Sequence, residues 1–160
     1  MIVSNTSPLI HLAKAGKLDL LRRLFKTVLI PVSVHEELMK QPRSTETILI
    51  NEAIKNGWIR TSKVHLKDPL RKLSTVAKAE LEVIALAIKE KKIALLDDKN
   101  AVQIAEIFRV GAHGTLFVIL QAVKKRFISK KEAINAVNKM MENEFYITSD
   151  VYALFLQLLG

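Results

Sequence analysis

The run Lys92-Ile93-Ala94-Leu95-Leu96 is largely apolar and stops at Asp97-Asp98, where a helical pattern begins at Lys99. A short apolar run that ends in acids and opens a helix reads as a strand buried on both faces of a parallel sheet. In open α/β sheets, ligands bind where such strands end. Two adjacent carboxylates at that edge are costly unless a cation, a proton or a hydrogen-bond donor stabilises them. A divalent cation is the simplest partner, because hard cations select oxygen ligands.

The same alternation runs through the whole chain. Met1 to Ser4 reads as a first strand, Val28-Leu29-Ile30-Pro31 as a second and Trp58 to Thr61 as a third, with Arg109-Val110 as a short edge strand. The first helix opens at Pro8, runs through Lys14 and ends near Gly16; others are predicted over Leu18 to Phe25 and Thr45 to Asn56. Ser33 is placed to cap a helix over Val34 to Met39, and Ser74-Thr75 to cap Val76 to Glu90. Further helices cover Lys99 to Phe108, a segment opening at Gly114-Thr115 and running through Val123, Lys131 to Met141, and Val151 to Leu159 behind Ser149. The segment from Lys63 to Lys72 reads as a loop. Strands alternating with helices predict an α/β fold, a central parallel sheet sandwiched by helices. At 160 residues one domain is expected over 1–160.

Composition fits that reading and removes several chemistries. Hydrophobic residues make up 49% of the chain, enough for a core at this size, and only 5 glycines and 4 prolines interrupt it. With no cysteine, disulfides, thiolate metal sites and cysteine nucleophiles are excluded. No basic leader precedes Asn5 and no apolar run reaches the length of a membrane span, so a cytoplasmic protein that does not enter the membrane is expected. The 25 basic residues outnumber 16 acidic ones, for a net charge of +9, which favours a polyanion partner and nucleic acid first.

Helical spacing selects which acids face the sheet. On the helix after Ser74-Thr75, Val76, Glu80, Val83, Ile84 and Ala87 share one stripe, so Glu80 is an acid in an apolar face, while Glu82 is expected to reach solvent beside Lys78 and Lys89. On the helix after Ser33, Glu37 turns inward and Glu36 away. Taken singly, each acid also reads as a boundary residue whose charge reaches water. Asn5 follows the first strand and Asp97-Asp98 the last apolar one. If those strands are neighbours, Asn5, Glu37, Glu80 and Asp98 converge at one carboxyl edge.

The stretches Ile2 to Lys14, with Ser7-Pro8-Leu9-Ile10 inside it, Ile30 to Leu38, Ala79 to Ala87, Leu95 to Ala101 and Gly114-Thr115-Leu116 together resemble the PIN domain. They are most similar to the prokaryotic branch with a Ser-Pro-Leu-Ile signature after the first strand. The resemblance spans nearly the whole chain in order. It implies a three-layer α/β/α fold and a metal-dependent endoribonuclease acting on single-stranded RNA, of a kind often paired as toxin with a small antitoxin protein and often homodimeric. The family's acidic quartet falls on Asn5, Glu37, Glu80 and Asp98, with Asp97 as helper or substitute and Ser7 as the hydroxyl residue after the first acid. The implied cofactor is Mg²⁺ or Mn²⁺.

Asn5 departs from the family, which usually has aspartate there. An asparagine offers one neutral carbonyl oxygen instead of a carboxylate, which weakens cation binding. The alternative expectation is therefore a catalytically silent PIN-like module that binds RNA or a protein partner. Lys14, Lys78 and Lys99 are candidates to hold an RNA backbone. His113 reads as a turn histidine and Thr115 as a helix cap; His11 and His35 have no metal-ligand spacing. Val151, Leu154, Phe155 and Leu158 form a stripe on the last helix that fits either core or a dimer contact, with core as the default.

Overall fold

Ile2, Val3 and Ser4 are all buried in the first strand, β1 (Ile2–Ser4), as a strand in the middle of a covered parallel sheet must be. In the computed structural model, which describes residues 1–160, β1 pairs in parallel with β2 (Val28–Pro31) on one side and β4 (Ala94–Leu95) on the other. β3 (Ile59–Ser62) lies outside β2 and β5 (Ala112–His113) outside β4, so the order is β3-β2-β1-β4-β5 and every pair is parallel. The chain works outward from β1 to β3 and then crosses to the other side of β1. That reversal opens a crevice between the carboxyl ends of β1 and β4. Ser4 is in register with Leu95, and the Asn5 N–H donates to the Leu95 carbonyl at 3.1 Å. The adjacency on which the sequence reading depends is present.

Helices α1 (Thr6–Lys14) and α2 (Asp19–Phe25) follow β1, and α3 (Val32–Leu38) and α4 (Thr45–Lys55) surround the passage from β2 to β3. After β3 comes α5 (Lys78–Glu90), which packs across β1, β2 and β4; α6 (Lys99–Ile107) joins β4 to β5. The chain continues through α7 (Thr115–Lys124), α8 (Lys130–Glu142) and α9 (Ser149–Leu159), with α7 packed against α1, α2, α8 and α9. This is the expected α/β/α layering. All 41 buried apolar side chains join one cluster, so the first strand and the last helix share a core.

Several boundaries differ from the sequence reading, each for a local reason. The edge strand is Ala112–His113, not Arg109-Val110. Arg109 takes a left-handed φ of 60° and the Val110 N–H reaches back to the Ala105 carbonyl at 2.9 Å, so both residues close α6. His113 is consequently a strand residue, stacked on Phe117 with ring centroids 4.1 Å apart, and not a turn histidine. Helix α3 begins at Val32, directly after Pro31, and Ser33 does not cap it. α5 starts at Lys78 and is capped by neither Ser74 nor Thr75; Glu80 of its own first turn takes the Ala77 N–H instead, at 3.2 Å. Thr148, not Ser149, caps α9 by accepting the Val151 N–H at 3.3 Å. On α9 only Phe155 and Leu159 are buried, while Leu154 and Leu158 are 52% and 60% exposed, so the stripe read as core is half core. The segment from Lys63 to Lys72 is irregular apart from a 3-10 turn at Leu70–Lys72.

Candidate active site

Asn5 is the residue immediately beyond β1, and it is 8% exposed. Its side-chain carbonyl, Oδ1, is buried and accepts no hydrogen bond. A buried acceptor without a donor is rare in a folded chain, since its lost hydration is not replaced. The atom belongs to a residue that lines a cavity of about 600 Å³, together with Thr6, Ser7, Lys14, Glu37 and Glu80. Asn5, Glu37 and Glu80, which the sequence places on three separate elements, thus meet at one cavity.

Each carboxylate at this edge has a protein donor. Glu37, on the last turn of α3, is exposed on its outer side rather than turned into the core, and it accepts from the Thr6 hydroxyl at 2.7 Å. Glu80 accepts from the Ala77 N–H. Burial pushes the Glu80 carboxyl above the ordinary range; the Ala77 bond opposes this, and the nearby Asp98 and Glu37 carboxylates add to the rise. Asp98 is exposed, is not among the residues lining the cavity, and caps α6 by accepting the Ala101 N–H at 2.9 Å. Its charge adds to the rise at Glu80.

Asp97 is the most heavily bonded acid. One oxygen accepts the Thr115 N–H at 2.7 Å; the other accepts the Thr115 hydroxyl at 2.8 Å and the Ser7 hydroxyl at 2.9 Å. The carboxylate therefore ties the end of β4 to the starts of α1 and α7, and three of its four lone-pair sites are committed to those donors. Thr115 is the first residue of α7, with Gly114 in the cap position, so the hydroxyl expected to cap the helix serves Asp97 instead. The approach is close: a Cβ on Gly114 would lie 2.9 Å from Asp97 Oδ1.

One expectation is reversed. Glu82, read as solvent-directed, is 6% exposed. It accepts from the Ser33 hydroxyl and lies 3.8 Å from Lys78 Nζ, so it braces α5 against α3, the two helices that carry Glu80 and Glu37. Periodicity could not show this, because the packing of α3 widens the covered arc of α5. Thr6 was also missed. Its only signal was a hydroxyl next to Asn5.

No three of the histidine, aspartate and glutamate side chains gather closely enough to hold a metal ion by themselves. Asn5, Thr6, Ser7, Glu37 and Glu80 nevertheless offer the cavity oxygen acceptors: an amide carbonyl with no donor of its own, two carboxylates and two hydroxyls; His11, whose Nδ1 is also buried without a partner, adds a ring nitrogen to the lining. The oxygens suit a hard divalent cation such as Mg²⁺ or Mn²⁺.

A family model described as PIN domain, DUF3368, matches residues 1–160. The chain belongs to the PIN-domain family. PIN domains are generally nucleases and typically depend on a divalent metal. Among solved structures, the PilT N-terminus domain protein SSO1118 of the hyperthermophilic archaeon Sulfolobus solfataricus P2 is similar over 77% of this chain and 94% of its own, with a TM-score of 0.58 and 16% identity. That likeness is one of fold. No curated protein matches the chain. No helix of this PIN domain is long and apolar enough to cross a membrane.

Proposed function

We propose that the chain is a metal-dependent endoribonuclease, cytoplasmic and folded as one PIN-like domain over 1–160, that hydrolyses phosphodiesters of single-stranded RNA. The observation that carries this reading is the donor-less Asn5 Oδ1 at a cavity shared with Glu37 and Glu80. Asn5, Glu37 and Glu80 would hold Mg²⁺ or Mn²⁺, with Asp98 at the rim and Asp97 in support. When bound, the ion supplies an acidified water and offsets the negative charge that develops on the phosphodiester.

The protein's own groups orient and bind. The Thr6 hydroxyl fixes Glu37 and the Ala77 N–H fixes Glu80. Burial and the neighbouring Asp98 and Glu37 carboxylates raise the Glu80 carboxyl above the ordinary range, and a cation beside it would favour its ionised form. Lys14 and Lys40 line the cavity and supply positive charge for the phosphates, in keeping with the net charge of +9. Asp97, through Ser7 and Thr115, positions the end of β4. A toxin role, with a small antitoxin protein as partner and a homodimeric assembly, belongs to the same proposal.

A second reading is favoured by one observation: position 5 carries a neutral amide, so the cavity holds one negative charge fewer than a carboxylate there would give. In that reading the chain binds RNA or a protein partner without cutting. Cleavage of a labelled single-stranded RNA in Mn²⁺ separates the two. The nuclease reading expects cutting by the parent chain and at least about a hundredfold loss in Glu80→Gln. Cutting that Glu80→Gln retains refutes the site. Cutting seen only in Asn5→Asp establishes the silent module.

A further inference from the structure

A second cavity, of about 430 Å³, adjoins the first: His11 and Glu144 line both. Its far wall is the segment between α8 and α9, where Phe145 and Tyr146 have opposite fates. Phe145 is buried against His11, with ring centroids 4.7 Å apart, and its N–H donates to the Met140 carbonyl at 3.0 Å. Tyr146 is 86% exposed, more than any other large hydrophobic side chain. The segment is anchored by one aromatic ring and offers the other to solvent beside the cavity.

The charges around this second cavity indicate what it accepts. Lys99 is its one cation, and Glu144 and the thrice-bonded Asp97 are its anions. A phosphate entering it would meet Glu144. Burial holds His11 below the ordinary histidine range, so Glu144 is the charged group of the wall that the two cavities share. A flat, neutral, polarisable group suits such a space, and an exposed tyrosine is the side chain on which bases stack.

Building on the nuclease reading, we infer that Tyr146 is a stacking platform for a nucleobase of the RNA strand whose backbone lies at Asn5, Glu37 and Glu80. The base beside the scissile phosphate enters the space between Tyr146 and the His11–Phe145 pair, and Lys99 holds a phosphate at its rim. The strand is thereby positioned by one base on one side of the carboxylates.

The test measures binding alone, without divalent cation, by anisotropy of a fluorescein-labelled mixed-sequence 12-nucleotide RNA in EDTA over a range of salt. Tyr146→Ala is expected to weaken binding about tenfold, the lower part of what one stacked base contributes, with an unchanged salt slope. Tyr146→Phe retains affinity. Lys99→Ala reduces the slope by about one ion. Against the same RNA made abasic, the parent chain and Tyr146→Ala bind alike, an equality that a merely structural role for Tyr146 would not produce. If the parent binds and Tyr146→Ala binds equally well, the platform is refuted while the nuclease reading stands. If the parent binds no RNA at all, the nuclease reading fails and the platform with it.

Discussion

Replacing Asn5 by aspartate places a carboxylate where a buried carbonyl oxygen has no donor. Asn5 is 8% exposed, and Glu37 and Glu80 line the same cavity. Without a cation, the added charge gains no hydrogen bond and meets two like charges. An unsatisfied buried polar or charged group costs about 1–3 kcal/mol. For a chain of this size, a central loss of about 2 kcal/mol lowers the melting temperature by about 6 °C.

The introduced carboxyl has a folded-state pKa raised above its unfolded value, so the penalty is absent below about pH 3.9 and grows as pH rises through the raised value. With Mn²⁺ at about a hundred times its dissociation constant, binding adds about 2.7 kcal/mol, or about 8 °C, and brings Asn5→Asp above its metal-free value. Differential scanning calorimetry of both chains in EDTA and in Mn²⁺, at pH 4 and pH 7.5, reads every one of these differences. Equal melting temperatures in EDTA, together with equal responses to Mn²⁺, would refute the claim that position 5 faces a shared cation pocket.

Glu80→Gln should melt higher than the parent at neutral pH in EDTA, because Glu80 ionises against burial and against Asp98 and Glu37. The raised folded-state pKa means this gain shrinks as pH falls through the raised value and is gone below the ordinary value of 4.5, where both states are protonated. A gain that persists unchanged to pH 3 contradicts the electrostatic origin. Asp97→Ala removes the acceptor of three hydrogen bonds and strands the Thr115 N–H, which is fully buried. A loss of about 3 kcal/mol is expected, lowering the urea midpoint by about 1–2 M with m unchanged; a midpoint shift below a few tenths of a molar shows that Asp97 does not hold the edge together.

Much of the architecture was legible because burial on both faces leaves its own mark on composition. The runs at Ile2-Val3, Val28-Leu29-Ile30 and Ala94-Leu95 are apolar without alternation, and each lies in a strand of the sheet. The edge strand was misplaced because β5 has two residues and no apolar run; one neighbour supplies its pairing. Two helix starts were misread because a hydroxyl residue found a side-chain carboxylate in place of the backbone. Ser33 turns to Glu82, and Thr115 turns to Asp97.

The cavity acids were legible in part. Glu80 stood out as an acid in an apolar stripe, and Asn5 by its place after β1. Glu82 was not, since only the packing of α3 on α5 buries it. The pairing of Phe145 with His11 spans 134 positions of chain and leaves no periodic trace. Tyr146 therefore came to notice through the fold alone.

Gly114 has a φ of −90°, a backbone conformation open to any residue, so its need for glycine is one of room and not of freedom. A methyl group there would press on the Asp97 carboxylate from behind and pry it from Thr115 and Ser7. The end of β4 can thus be loosened by the smallest side chain in the genetic code, at a position that does not line the cavity of Asn5, Glu37 and Glu80.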